Sequence, residues 1–293
     1  MKLSQQTFVC GLEGLMSKEK VISREYKIML RANLFGGGER QLLKAASEFW
    51  QDFKGNIYDS AIKIDGTLEK AANRRIIEFY DTDNHLLYKN YYIFRERCNI
   101  DTDEREVTLK FRHPDRYISQ DRNMEAGNAT RNKRKDNANK VKTKFEEDIK
   151  PPFLKLYSFS TTQKISDTKN LSQLKDVTRL YPHLYERIDH YTEDEKIKIV
   201  GSTIRELVIT GARFQISKKP TLNSECALIV WYNNDTDEEK PAAVEFSFRY
   251  GDKNENYTRN MAQRAYTVFQ ILQKKLTRWI DPKSETKTAY IYS

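Results

Sequence analysis

The sequence predicts an α+β protein built on a curved or closed antiparallel sheet of seven to nine strands with peripheral helices. Three observations predict it. Seven to nine runs have strand length and are separated by turn-like segments. Charges recur two residues apart on several of these runs (Glu25 and Lys27, Arg95 and Arg97, Lys110 and Arg112), so each pair points to one face of its strand. Two longer stretches carry apolar stripes at helical spacing instead. Aromatic residues make up 12% of the chain, with 17 Tyr and 14 Phe, which favours strands.

In chain order, residues 22–34 (ISREYKIMLRANL) alternate as a strand that Gly36-Gly37-Gly38 ends. Residues 39–53 form an amphipathic helix with Leu42, Leu43, Ala46, Phe49, Trp50 and Phe53 on its stripe. Strands at 75–82, 89–98 and 105–113 form an antiparallel meander, punctuated by Asp81-Thr82-Asp83-Asn84 and Asp101-Thr102-Asp103. Residues 114–142 are polar and basic with almost no apolar residue, and are expected as a long, mobile loop. Strands follow at 143–149 and 152–162. Helical spacing at Leu171, Leu174, Val177 and Leu180 predicts a helical insertion over 166–191, broken by Pro182. Strands at 203–216, 225–233 and 241–250 come next. A long helix over 257–280 then buries Met261, Ala265, Val268, Phe269, Leu272, Leu276 and Trp279. The tail from Asp281 is left unassigned. There is no internal repeat, and the expected organisation is a single domain, 1–293, with its core at about 22–280.

Composition narrows the function. The chain has 293 residues, 38% hydrophobic and 32% charged, with a net charge of +9 and a pI near 9.2. A basic balance favours anionic partners. Cys10, Cys98 and Cys226 are odd in number and far apart, with neither a disulfide framework nor a metal spacing, so a reducing cytoplasmic location is expected. The first 18 residues make a poor signal peptide, and no apolar run is long enough to span a membrane, so no membrane partner is expected. A homo-oligomer is compatible with the sequence.

The paired charges carry the chemistry. If the sheet curls into a barrel, Arg95, Arg97, Lys110 and Arg112 converge inside it, where their mutual repulsion calls for a polyanion. Phosphate oxygens meet guanidinium forks with charge-assisted hydrogen bonds. The other half is acidic. Lys144, Glu146 and Asp148 alternate on one strand face, and Glu245 lies on the last strand. Carboxylates beside a phosphate chain suit Mg2+ or Mn2+. Solvated outer faces with cross-strand ion pairs are the competing explanation for any one strand. Recurrence on at least three strands favours the bore, although Glu96 places a charge on the opposite face. The four histidines have no ligand spacing, and no P-loop, Gly-x-Ser-x-Gly or Rossmann fingerprint is present. The basic cluster Arg131 to Lys135 could touch nucleic acid, but a solvated loop is the favoured reading.

With these residues in place, the chain resembles the CYTH domain family, the triphosphate tunnel metalloenzymes. Glu25-Tyr26-Lys27, Tyr80-Asp81-Thr82, Phe94-Arg95-Glu96-Arg97 and Thr108-Leu109-Lys110-Phe111-Arg112 match its motifs in kind, order and spacing. Gly201-Ser202-Thr203-Ile204-Arg205 and Val244-Glu245-Phe246-Ser247 resemble its later strands. Ser23 stands where the family's first strand carries a Glu, and Ala243 and Ser247 flank Glu245. The resemblance implies a metal-dependent hydrolase of a triphosphate-containing small molecule: inorganic tripolyphosphate, thiamine triphosphate or a nucleoside triphosphate. It implies a closed or nearly closed antiparallel β-barrel, a tunnel of about eight strands with peripheral helices, and phosphate binding by Arg95, Arg97, Lys110, Arg112 and Arg205. Mg2+ or Mn2+ would be held by Glu25, Glu245 and Glu146, and Lys27 with Glu25 would act at the reacting phosphate. The alternatives are a non-catalytic barrel for polyphosphate, a nucleotide or an RNA end, and a class IV-type adenylyl cyclase.

Overall fold

A computed structural model describes residues 19–127, 141–166, 170–188, 192–234, 239–283 and 286–292. Its strands are β1 (Ser23–Leu30), β2 (Ile64–Asp65), β3 (Lys70–Asp81), β4 (Tyr92–Asn99), β5 (Arg105–His113), β6 (Lys142–Lys150), β7 (Leu154–Lys164), β8 (Lys198–Ile199), β9 (Ile204–Lys218), β10 (Thr221–Asn233) and β11 (Ala243–Gly251). Its helices are α1 (Glu39–Ile57), α2 (Leu86–Lys89), α3 (Arg116–Gln120), α4 (Leu174–Leu180), α5 (Arg259–Lys275) and α6 (Lys287–Tyr292).

Nine strands run in the order β9-β10-β11-β1-β6-β7-β5-β4-β3, and β3 pairs back onto β9 to close a barrel. The expected barrel is therefore present, with nine strands in place of about eight. An odd ring cannot alternate direction all the way round, so at least one pair must be parallel. That pair is β1–β6, with Ser23 opposite Glu146 and Glu25 opposite Asp148. β3, β4 and β5 form the predicted meander, Ile77 facing Arg97 and Arg97 facing Glu106 across the ladders.

Outer faces carry the helices. The stripe of α1 (Leu42, Ala46, Phe49, Trp50, Phe53) and that of α5 (Met261, Ala265, Val268, Phe269, Leu272) pack with Tyr26, Leu228, Phe246 and Phe248 into one core. The Thr258 hydroxyl caps α5 by accepting from the Met261 amide at 3.3 Å. A second core joins the outer faces of β4, β5, β6 and β7 to residues 171–188. The predicted insertion is helical in two short pieces among the described residues. Leu174–Leu180 is α-helix and Pro182–Arg187 a 3-10 helix, the break falling before Pro182, and Leu171, Leu174, Val177 and Leu180 are all buried as their spacing required. The expected loop's described residues up to 127 carry structure of their own. The Asp115 carboxylate accepts from the amides of Tyr117 and Ile118 to start α3, and Met124 and Ala126 are buried. The basic cluster Arg131 to Lys135 lies outside the described residues, as does Cys10. The first strand ends at Leu30, and the last long helix ends at Lys275, five residues short of its expected end.

A third cluster lies inside the barrel. Met29, Ile77, Phe79, Trp231 and Ala243 face the bore at one end, and Ile291 of α6 joins them. The unassigned tail thus contributes to an apolar plug. Among the described residues, no helix is long and apolar enough to cross a membrane.

Candidate functional site

Beyond the plug, the bore opens into a cavity of about 1160 Å³. Thirteen basic and seven acidic side chains line it, so much of the chain's excess positive charge faces one enclosed space.

The basic wall comes from β3, β4 and β5, which present Arg75, Arg95, Arg97, Lys110 and Arg112. Strict alternation on each strand puts them on the bore side. Apart from Arg112, which reaches Asp148 and Ser158, their pairing is sparse. Arg97 stands 3.6 Å from Glu106, and Arg75 stands 3.7 Å from Glu206. The Nε atoms of Arg95 and Arg97 are buried without a hydrogen-bond partner among the described residues. Lys110 makes no ion pair or hydrogen bond among the described residues. Burial and then the neighbouring Arg97 push the Arg95 guanidinium down to about 9. Burial likewise pushes Lys110 down to about 8, against the pull of Asp148 and with the repulsion of Arg112 and Lys27. Both shifts express a wall that disfavours its own charge.

The acidic wall comes from β1, β6 and β11 and is closely paired. Lys27 donates to Asp148 at 2.8 Å and lies 3.0 Å from Glu25. The other Asp148 oxygen accepts from the Ser158 hydroxyl at 2.8 Å and sits 3.1 Å from Arg112. The Ser23 hydroxyl donates to Glu146 at 2.6 Å, and Lys144 and Arg249 approach the same carboxylate at 3.8 and 4.0 Å. Lys287 of α6 reaches Glu245 at 3.2 Å and lies 5.1 Å from the Trp231 ring centre. Burial alone would favour neutral forms here. The attraction among Lys27, Glu25 and Asp148 outweighs it, holding Lys27 above its usual value and both carboxylates below theirs.

Among the described residues, no three His, Cys, Asp or Glu side chains gather into a preformed metal cluster. Mg2+ rarely uses an all-protein cage; it binds through one or two carboxylates together with substrate phosphates. Glu25 and Asp148, opposite each other in the β1–β6 register, with Glu146 one turn of the pleat away, fit that pattern.

The structure brings Glu25, Lys27, Arg95, Arg97, Lys110, Arg112, Glu146 and Glu245 to one cavity. Arg205 is the exception and corrects the expectation. It is exposed on the outer face, stacked 4.6 Å from the Tyr232 ring centre, because its neighbour Glu206 takes the inward position. Asp81, of the Tyr80-Asp81-Thr82 motif, is not among the residues lining the cavity. Its fully buried carboxylate accepts from the amides of Thr82, Leu87 and Tyr88 and so anchors the turn into α2. Glu96 lies outside the bore, paired with Arg105 at 2.6 Å. Sequence reasoning passed over Arg75, Arg249, Glu206 and Lys287. Arg75 was legible, since it shares strand parity with Ile77 and Phe79. Lys287 carried no signal.

No protein-family model matches the chain, and no curated protein matches it. Three solved structures show a low similarity to it. HpAC1 from Hippeastrum, a proposed adenylyl cyclase described as having a dominant triphosphatase activity, is 11% identical with a TM-score of 0.44, over 92% of this chain and 95% of that one. A proposed adenylate cyclase from Bacillus halodurans is 15% identical with a TM-score of 0.35, over 95% and 100%. One from Vibrio parahaemolyticus is 9% identical with a TM-score of 0.35, over 94% and 100%. Similarity at this level leaves the reading of the site to its own geometry.

Proposed function

We propose that the bore binds the triphosphate group of a small molecule, and that the protein hydrolyses it with a divalent cation brought in with the substrate. The observation that carries this is the unfinished basic wall: buried guanidinium donors on Arg95 and Arg97 with no partner among the described residues, beside Lys110, which likewise has none there. Phosphate oxygens supply the missing acceptors at the spacing of alternate strand residues. Lys27 uses two of its three donors on Glu25 and Asp148, leaving the third for a phosphate oxygen and fixing the ammonium where it can orient the reacting group. Glu25 and Asp148, with Glu146, would hold Mg2+ or Mn2+, which would neutralise phosphate charge. Glu245, engaged by Lys287, stands nearer the plug.

A second reading is retention of phosphate binding without hydrolysis. The close pairing of every bore carboxylate on β1, β6 and β11 with a protein donor favours it. One experiment separates the two. Phosphate release is measured from tripolyphosphate, thiamine triphosphate and ATP with Mg2+, Mn2+ or EDTA, alongside calorimetric binding. Metal-dependent release that Glu25→Ala abolishes supports hydrolysis. Binding without release supports the second reading. In either case Arg95→Ala weakens tripolyphosphate binding by about 2 kcal/mol. Absence of any polyphosphate binding overturns both.

A further inference from the structure

The arginine wall carries two carboxylates that the proposed chemistry leaves unused. Glu206 on β9 is 2% exposed. One of its oxygens accepts from the Trp231 indole N–H at 2.9 Å, and the other, Oε1, receives no hydrogen bond among the described residues. Its closest cation, Arg75, stands off at 3.7 Å. Glu106 on β5 stands off from Arg97 at 3.6 Å. Both separations are ion pairs without hydrogen bonds. Glu206 is therefore fixed by Trp231, not by the arginines whose charge it balances, and the arginine donors stay free. Arg97, Lys287 and Arg75 together outweigh its burial and hold its carboxyl down at about 2.

We infer that Glu206, assisted by Glu106, is a resident counter-charge of the arginine wall that sets how tightly the bore holds a phosphate chain. The inference rests on the triphosphate reading and adds an affinity-setting residue to it. In the empty barrel Glu206 attracts Arg75 and Arg97 and lowers the energy of that state. In the occupied barrel it repels phosphate. Both effects reduce affinity, and the first also raises stability. Glu206 is thus a positioning residue that exchanges binding strength for a stable empty bore. A purely structural role gives the opposite sign, because loss of structure would weaken stability and binding together.

The test measures tripolyphosphate affinity by calorimetry and thermal unfolding of the empty protein in wild type, Glu206→Gln, Glu206→Asp and Glu106→Gln. A Gln at 206 can still accept from Trp231. Glu206→Gln should unfold at lower temperature and bind tripolyphosphate about tenfold more tightly. Glu206→Asp keeps the charge and should stay within about threefold of wild type. Glu106→Gln, at a more exposed position, should tighten binding by roughly threefold. Weaker or unchanged binding in Glu206→Gln overturns the inference. Should that variant not fold, unchanged or weaker binding in Glu106→Gln overturns it instead. If the wild-type protein binds no tripolyphosphate, the triphosphate reading itself falls, an outcome distinct from wild-type binding that no variant tightens.

Discussion

The two walls of the bore are built from the same residue types and differ in how those residues are satisfied. On β1 and β6, Lys27 sits within 3.0 Å of two carboxylates, and Asp148 engages Lys27, Arg112 and Ser158 together. On β3 and β4, the nearest carboxylates stand 3.6 and 3.7 Å away, and two buried guanidinium nitrogens have no partner among the described residues. One wall is internally paired, and the other is not. The difference shows that charge count alone does not locate a binding surface. A buried charge costs stability unless it is paired, so the unpaired side is where a ligand gains most.

The largest expected effect tests completeness directly. Lys27→Met leaves Glu25 and Asp148 facing each other without their shared cation, in a partly enclosed space. Loss of one partner from a buried pair costs about 3 kcal/mol or more. Removal of a cation from the other wall, by Arg97→Met, relieves repulsion against Arg75 and Arg95 and should cost less than about 1 kcal/mol. Urea unfolding of the two variants checks this. Equal losses would mean that the walls do not differ in the way their geometry indicates.

Next in size is the pH dependence of the unfinished wall. Burial lowers Lys110 from its usual 10.5 to about 8 in the empty barrel. Between those two values the unfolded chain keeps a proton that the folded protein releases, so the penalty of burying Lys110 is full below pH 8 and is relieved as pH rises. Ligand binding has the opposite dependence. A phosphate chain favours the charged ammonium, so binding above pH 8 takes up a proton, and affinity falls by up to about tenfold per pH unit. Calorimetry between pH 7 and 9.5 should show this loss in wild type. Lys110→Met should bind more weakly at pH 7 and lack that part of the slope. Identical slopes would remove Lys110 from the phosphate site.

The barrel was legible because its strands alternate. Glu25 with Lys27, Arg95 with Arg97 and Lys110 with Arg112 announced one face on three strands, and the apolar stripes of α1 and α5 announced what covers the outside. What alternation cannot show is how distant strands meet. Closure through β3 and β9 joins residues more than 100 positions apart, for example Arg75 and Glu206. The parallel entry of β1 beside β6 likewise depends on the number of strands in the ring. The plug was illegible for a similar reason. Nothing in Lys287-Thr288-Ala289-Tyr290-Ile291-Tyr292 marks a bore-lining helix until the barrel end supplies Glu245, Trp231 and Phe79 as partners.

Arg205 gives the smallest effect and the sharpest test of the parity argument. The motif around Gly201 to Arg205 suggested a phosphate ligand, but on β9 Ile204 and Glu206 are buried toward the bore while Arg205 is exposed beside Tyr232. A one-residue difference in strand phase moves a side chain to the opposite face. Arg205→Ala should therefore leave tripolyphosphate affinity within about twofold of wild type and stability within about 0.5 kcal/mol, against a far larger loss for Arg95→Ala. A comparable loss from both would mean that β9 sits one residue out of the phase described, with Arg205 completing the arginine wall and Glu206 outside it.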